Sequence, residues 1–388
     1  MSRYIMDDRM GRFAEIVELV VVSYWSFPSF DWRRGLIKTG AFSVFSIGGP
    51  VIFAGMGLEH LIFYIVSLAV LRLLSAAAVS EIAKGTPSLA LLLYRWSPLF
   101  MVASALMPSF SIHVFEPLLF LMPVFSGIYL GSFWILHFDI SQCIRVTTED
   151  YQFTEVAASA IGGLSSAALT VFFGADVAVA FGGAFVMVGA IFPLDVCGQE
   201  FEEKLSEWSQ EAVIRPKEQV SNGLKIVIGV AVLNWTSLTT LRIGALVGVS
   251  PLLGVISLSL ALSLAELVGY LITKGIEIGN GSFKLFASGL AIFGFIVMGL
   301  GGPIWSGIGY WFVSITSRIY WRVYDRKIAR PALRGLGGRP GSREYRRYLI
   351  FMACCPLLAF PEILPYLGIG SVILLITTNG ISHMEQES

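Results

Sequence analysis

Ile65–Gly85 reads IVSLAVLRLLSAAAVSEIAKG and Val255–Gly275 reads VISLSLALSLAELVGYLITKG. The two stretches align without a gap, sharing Ser67/Ser257, Leu68/Leu258, Leu74/Leu264, Ile82/Ile272, Lys84/Lys274 and Gly85/Gly275. Leucine matching leucine is what any two apolar helices give, but a Lys-Gly pair closing both stretches at the same end is not. Each stretch is about 20 residues of mostly apolar chain, the length that crosses the hydrocarbon of a bilayer. Further on, Ser126-Gly127-Ile128 matches Ser306-Gly307-Ile308, at a shorter offset because the connection around Ser109–Glu116 is longer in the first half. Both matches run in the same direction across the membrane. They predict a parallel repeat, two halves related by an axis along the membrane normal.

Working outward from these stretches, apolar runs of spanning length number about twelve. They fall near 35–57, 58–83, 89–109, 114–140, 153–174 and 175–196 in the first half, and near 223–248, 250–273, 283–301, 302–325, 346–364 and 366–382 in the second. The expected organisation is a tail over 1–34, a six-helix bundle over 35–196, a polar central loop over 197–222, a second bundle over 223–382 and a tail over 383–388. The last two spans are short and joined through Pro361 and Pro365. Composition agrees: 55% of the 388 residues are hydrophobic and 14% charged, with mean hydropathy +0.74. Soluble domains carry about 25% charged residues, so the chain reads as an all-α polytopic membrane protein. Its 27 basic and 27 acidic residues cancel, which argues against a nucleic-acid partner. Cys143, Cys197, Cys354 and Cys355 have no disulfide spacing and read as reduced structural residues.

Lysine and arginine favour cytoplasmic loops. The tail carries Arg3, Arg9, Arg12, Arg33 and Arg34, and the even-numbered connections carry Lys84, Arg145, Lys204, Arg215, Lys217, Lys274 and Lys284. The connection after the tenth span is densest, from Arg326 to Arg347. The odd-numbered connections (GLEH, SFSIHVFE, FGADV, GVSP, GLGGP) hold neither residue. Both termini are therefore expected in the cytoplasm, with the protein multi-pass in the cell membrane. Arg12–Phe27 (RFAEIVELVVVSYWSF) is too short and too acidic for a span, and is expected along the lipid surface as an amphipathic helix.

With six-plus-six spans, a central loop, inside termini and a parallel repeat, residues from about 35 to 382 resemble the major facilitator superfamily of secondary transporters. That family carries Gly-x-x-x-Asp-Arg-x-Gly-Arg-Arg between spans two and three. Here the stretch is Ser80-Glu81-Ile82-Ala83-Lys84-Gly85-Thr86, which keeps an acid, a base and a glycine in order and lacks the arginine pair. The resemblance implies that spans one, four, seven and ten line a central cavity.

Within span seven, Asn234-Trp235-Thr236-Ser237-Leu238-Thr239-Thr240-Leu241-Arg242 concentrates polar groups near the bilayer midplane. Serine and threonine also satisfy themselves on their own helix or glue helices together. Span one offers Ser43, Ser46 and Gly48-Gly49-Pro50, a sequence that loosens a helix and frees carbonyls, tolerated only beside protein or water. Three charges lie deep, at a cost of about 2.5–3.5 kcal/mol each on insertion scales: Arg72 in span two, Arg242 in span seven and Glu266 in span eight. Burial disfavours the charged form of a carboxylate, which suits a proton carrier, so Glu266 is the candidate for proton coupling. Arg72 and Arg242 suit an anionic or zwitterionic solute; the alternative is an ion pair with Glu266 or Glu362. Glu81, Asp139, Glu155 and Asp195 fall at cytoplasmic span ends, as inner-gate ion pairs or, more blandly, solvated ends. Trp305 fits an outer interfacial belt, and Trp134 and Trp311 sit deeper.

Zinc-binding histidine or cysteine spacings, an aspartate-rich diphosphate motif and a phosphate loop are all missing from the sequence, so neither a cofactor nor enzyme activity is expected. The chain reads as a secondary active transporter working by alternating access, with Arg72, Asn234, Trp235, Thr236, Arg242 and Ser46 toward the solute and Glu266 toward the coupling ion. The expected partners are membrane lipid, a small solute and a proton or sodium ion, with the protein acting as a monomer. The alternatives are a membrane enzyme on a lipid or prenyl substrate, and a non-transporting scaffold or sensor.

Overall fold

The computed structural model describes residues 31–113, 116–143, 148–192, 203, 217–247, 251–275, 281–324 and 342–377. The amphipathic helix expected over 12–27, the first tail up to residue 30, the last tail and most of the central loop lie outside these residues.

Helix α1 runs in three joined pieces, Trp32–Ala41, a π-helical Phe42–Gly48, and Gly49–Gly55; α2 is Leu58–Gly85. α3 comprises Pro87–Trp96 and Pro98–His113; α4 is Leu121–Cys143, α5 Thr148–Phe173 and α6 Ala175–Ile191. The second half holds α7 (Lys217–Leu246), α8 (Pro251–Gly275), α9 (Gly281–Gly299), α10 (Pro303–Tyr324), α11 (Ser342–Cys354) and α12 (Leu364–Thr377). Seven of the described helices are long and apolar enough to span a bilayer, and α6, α9 and α12 are shorter apolar helices. All twelve spans predicted from the sequence have a helical counterpart. α1 starts at Trp32, capped by Asp31, whose carboxylate accepts from the Arg34 N–H at 3.0 Å. Arg33 and Arg34 thus lie in the helix, and both are buried; Arg33 Nε donates to the Phe192 carbonyl at 3.2 Å.

The connections GLEH, FGADV and GLGGP turn sharply because Gly57, Gly174, Gly301 and Gly302 take positive φ (123°, 102°, 75° and 79°), conformations that a side chain disfavours. The outcome is a stack of antiparallel helices whose backbone hydrogen bonds close inside each helix, as hydrocarbon demands, except at the π-helical segment of α1.

The repeat is visible in the packing. α1 packs on α2, α5 and α6, α2 on α4, and α3 on α4 and α6; the same set recurs as α7 on α8, α11 and α12, α8 on α10, and α9 on α10 and α12. The Ser-Gly-Ile matches occupy equivalent places. A Cβ at Gly127 of α4 would meet the Leu71 side chain of α2 at 2.7 Å, and one at Gly307 of α10 would meet Ser257 Oγ of α8, also at 2.7 Å. Small residues at these points let the helices approach backbone to backbone, which drives association in lipid.

The halves meet chiefly through α5 against α8 and α2 against α11, with smaller contacts of α1 on α7 and α8 and of α4 on α11. At the α5–α8 crossing, Gly163 faces the hydroxyl of Ser263 with no room for a side chain. Each half also reaches into the other's core. Phe42 and Ile47 of α1 join a cluster otherwise built from the second half, while Trp235, Tyr348 and Leu358 join the cluster of the first half.

Gly127→Val forces α4 off α2 and should lower stability by about 1–3 kcal/mol, read as a lower melting temperature in detergent. Gly289→Val, where an added Cβ meets nothing within 4 Å, should leave it unchanged.

Candidate functional site

Ionisable side chains from five helices, three of the first half and two of the second, lie at similar distances from their helix ends. Lys38 is six residues in from Trp32, His137 six before Cys143, Glu155 seven after Thr148, Glu266 nine before Gly275, and Arg318 six before Tyr324. At 1.5 Å rise per residue each sits about 9–14 Å from that end of its own helix. In the first half, Lys38 Nζ is 3.1 Å from Glu155 Oε2 and 4.3 Å over the Trp134 ring. His137 Nε2 is 3.5 Å from Glu155 Oε1, and its Nδ1 is 2.9 Å from Tyr94 Oη. In the second half, the guanidinium of Arg318 contacts the carboxylate of Glu266, and Ser317 Oγ donates to Asn234 Oδ1 at 2.5 Å.

Arg318 also lies within electrostatic range of Glu155 across the interface. Two atoms nearby are buried without a hydrogen-bond partner, Nε of Arg318 and Oε1 of Glu155. The Arg318 Nε donor is unfilled, and Glu155 Oε1 has only the long 3.5 Å approach of His137 Nε2. The flanking residues on the Glu266 face of α8, Ser259, Leu262, Ser263 and Tyr270, are buried, yet the side chains of Glu266 and Arg318 keep 29% and 27% of their exposure. That pattern places the pair on a gap between helices, the place where hydrocarbon tolerates charge.

A second polar centre sits in α1. In its π-helical segment the N–H of Gly49 goes to the Val44 carbonyl, five residues back. The next bond in that register would run from residue 50 to the Phe45 carbonyl, and Pro50 has no N–H. Two other groups take the freed carbonyl: Tyr64 Oη of α2 donates at 3.2 Å and Arg242 Nη2 of α7 at 3.2 Å. The glycines beside Pro50 leave room for neighbours. A Cβ at Gly49 would meet the Tyr64 ring at 2.6 Å, and one at Gly48 would collide with Val179. The expectation that Gly48-Gly49-Pro50 frees a carbonyl is met at Phe45.

Of the residues singled out from sequence, Glu266 and Asn234 belong to the layer between the halves, and Arg242 to the α1 centre. Arg72 does not meet Glu266 or Glu362. It stacks on the Tyr348 ring of α11 with its guanidinium carbon 4.0 Å from the centroid, and Nη2 donates to Tyr348 Oη at 3.0 Å. Thr236 and Ser237 are buried and donate to their own helix, at Val232 (2.7 Å) and Asn234 (3.2 Å). Trp235 and Ser46 are buried. Lys38, His137 and Arg318 were not among the candidates, and Glu155 was placed at a span end. Arg318 had a signal that could have found it, a charge six residues inside span ten. The acid and base of the shortened loop signature pair with each other, Lys84 Nζ to Glu81 at 2.6 Å.

No protein-family profile matches the sequence, and no curated protein matches it. Solved structures do match in fold. A D-xylose-proton symporter superposes with a TM-score of 0.61 at 10% identity, over 90% of this chain and 97% of that one. A bacterial homologue of the human drug peptide transporters PepT1 and PepT2 gives 0.54 at 12%, over 92% and 98%. A POT family transporter in complex with 5-aminolevulinic acid gives 0.50 at 12%, over 89% and 95%. The chain therefore has the major facilitator fold and is a multi-pass membrane protein.

Removing one member of the Lys38–Glu155 pair leaves a charge stranded. Glu155→Gln and Lys38→Met should each lower stability by about 2–3 kcal/mol, and the double variant by less than the sum of the two. Thermal unfolding of the four proteins in one detergent checks this.

Proposed function

We propose that the protein is a secondary active transporter, carrying a small solute by alternating access of its two six-helix halves and driven by a proton or ion gradient. The observation that supports it most is the charged layer between the halves. Buried ion pairs are poor stabilisers, and apolar residues of similar size serve a static core as well or better. Five charged or titratable groups held where two bundles meet suit a path that opens and closes. The fold points the same way, since the matched structures include a proton symporter of D-xylose and peptide transporters.

In this reading Glu266 is the coupling carboxylate. Ionised, it holds Arg318; protonated, it loses the Coulomb attraction and frees the guanidinium for Glu155 of the other half, so proton binding biases which face is closed. Asn234 and Ser317 sit beside that pair and present a polar edge to the solute. Arg242 and Arg72 favour an anionic or zwitterionic solute, and Trp235, Thr236 and Ser46 shape the helices around it. Sodium is the alternative coupling ion, and monomeric action is part of the reading. The basic residues of the tail and even connections argue for cytoplasmic termini in a cell membrane.

Proteoliposomes screened with labelled organic anions, amino acids, peptides and sugars under an imposed proton or sodium gradient test the reading; no accumulation of any solute contradicts it. Glu266→Gln should abolish proton-driven uptake and leave counterflow exchange intact, and unchanged driven uptake would remove Glu266 from coupling. A reporter fused after Ser388 should signal cytoplasm; an external signal would place an odd number of spans in the chain.

A further inference from the structure

Arg242 is the charge whose partner makes least sense in a resting structure. It is 5% exposed, and no carboxylate among the described residues reaches salt-bridge distance of it. Its Nη2 rests on a neutral backbone carbonyl at 3.2 Å, and its Nε is buried with no hydrogen-bond partner. The hydroxyls of Tyr64 and Tyr310 lie near enough to feel its charge. A guanidinium presents a planar fork that matches a carboxylate with two parallel bonds; here one prong is held by an amide oxygen and the Nε edge is empty.

The carbonyl on which it rests has a second donor, Tyr64 Oη at 3.2 Å. A carbonyl has two lone pairs. If Arg242 leaves, Tyr64 still satisfies Phe45, so departure strands no polar group. Pro50 makes the acceptor available, Tyr64 secures it, and Arg242 borrows it from across the interface between α1 and α7.

We propose that Arg242, flanked by Tyr64 and Tyr310, is the anchor for a carboxylate or similarly compact oxyanion, and that the Phe45 carbonyl is the placeholder which the oxyanion displaces. This rests on the transporter reading and names its solute class. A charged acceptor forms hydrogen bonds roughly twice as strong as a neutral one, so the exchange runs toward the oxyanion. It also breaks a tie between the halves, so solute binding and release of the α1–α7 contact are one event.

The experiment has a solute arm and a latch arm, on the full chain in detergent or nanodiscs. In the first, melting temperature is followed with acetate, pyruvate, succinate, glutamate and inorganic phosphate, each organic acid paired with its amide. At least one oxyanion should stabilise the protein while its amide does not, and Arg242→Gln should erase the shift. Tyr64→Phe, which strands the carbonyl when Arg242 leaves, should weaken binding of that oxyanion by a factor on the order of ten. Stabilisation by none of the panel, or equal stabilisation of Arg242→Gln, overturns the anchor.

In the second arm, spin labels at the exposed positions Phe173 (end of α5) and Leu300 (after α9) report the separation of the halves. Pro50→Ala supplies an N–H to Phe45 and Arg242→Gln removes the donor. Both should add a longer-distance population without ligand, as should the stabilising oxyanion in the unmodified protein. Distance distributions of both variants that coincide with that of the unmodified protein overturn the latch. Solute accumulation in proteoliposomes with both arms negative leaves the transporter reading standing and this inference fallen; both arms positive with no accumulation does the reverse.

Discussion

A charge carried into hydrocarbon has to find its partner inside the protein, because neither water nor lipid tails will serve. Among the described residues that requirement arranges most of the deep charges. Lys38, His137 and Glu155 meet across three helices of one half, and Glu266 meets Arg318 across two helices of the other. The two groups are linked by Arg318, which lies within electrostatic range of Glu155. Because they belong to different bundles, whatever moves one bundle against the other must remake or break their interactions. In the transporter reading, stability and motion thus depend on the same few side chains.

The backbone obeys the same rule in α1. Pro50 deprives Phe45 of a donor, and the vacancy is filled from two helices, one in each half. A break in one helix becomes a contact between bundles. The α2–α11 contact is built differently, from Arg72 stacked on Tyr348, and the α5–α8 contact differently again, from Gly163 against Ser263. The halves are thus held by three unlike joints rather than by one uniform apolar seam.

Much of the fold was legible in the sequence, because bilayer thickness dictates span length and apolar runs of that length cannot be hidden. The repeat was legible where small residues set helix approach, at Gly127 and Gly307, since a side chain there has one tolerable size. The freed carbonyl of α1 was legible from Gly48-Gly49-Pro50. Which donors would take it was not, because Tyr64 and Arg242 reach it through tertiary packing. For the same reason Glu266 was recognised as a deep charge while its partner Arg318 was passed over. Lys38 was passed over, and Glu155 read as a span-end charge with either a gating ion pair or solvent, because a charge within two turns of a span end has two fates, reaching out to the headgroups or turning in to a partner. Only the neighbouring helices decide between them.

The central claim is that the charged layer lines a path reached in turn from both faces of the membrane. A single cysteine at Ser317, in a chain with Cys143, Cys197, Cys354 and Cys355 replaced, can be challenged with a membrane-impermeant thiol reagent from either side of sealed vesicles. The account predicts labelling from both sides, with a crosslink that locks one side shut increasing reaction from the other. Labelling from neither side, or from one side whichever crosslink is in place, would contradict it.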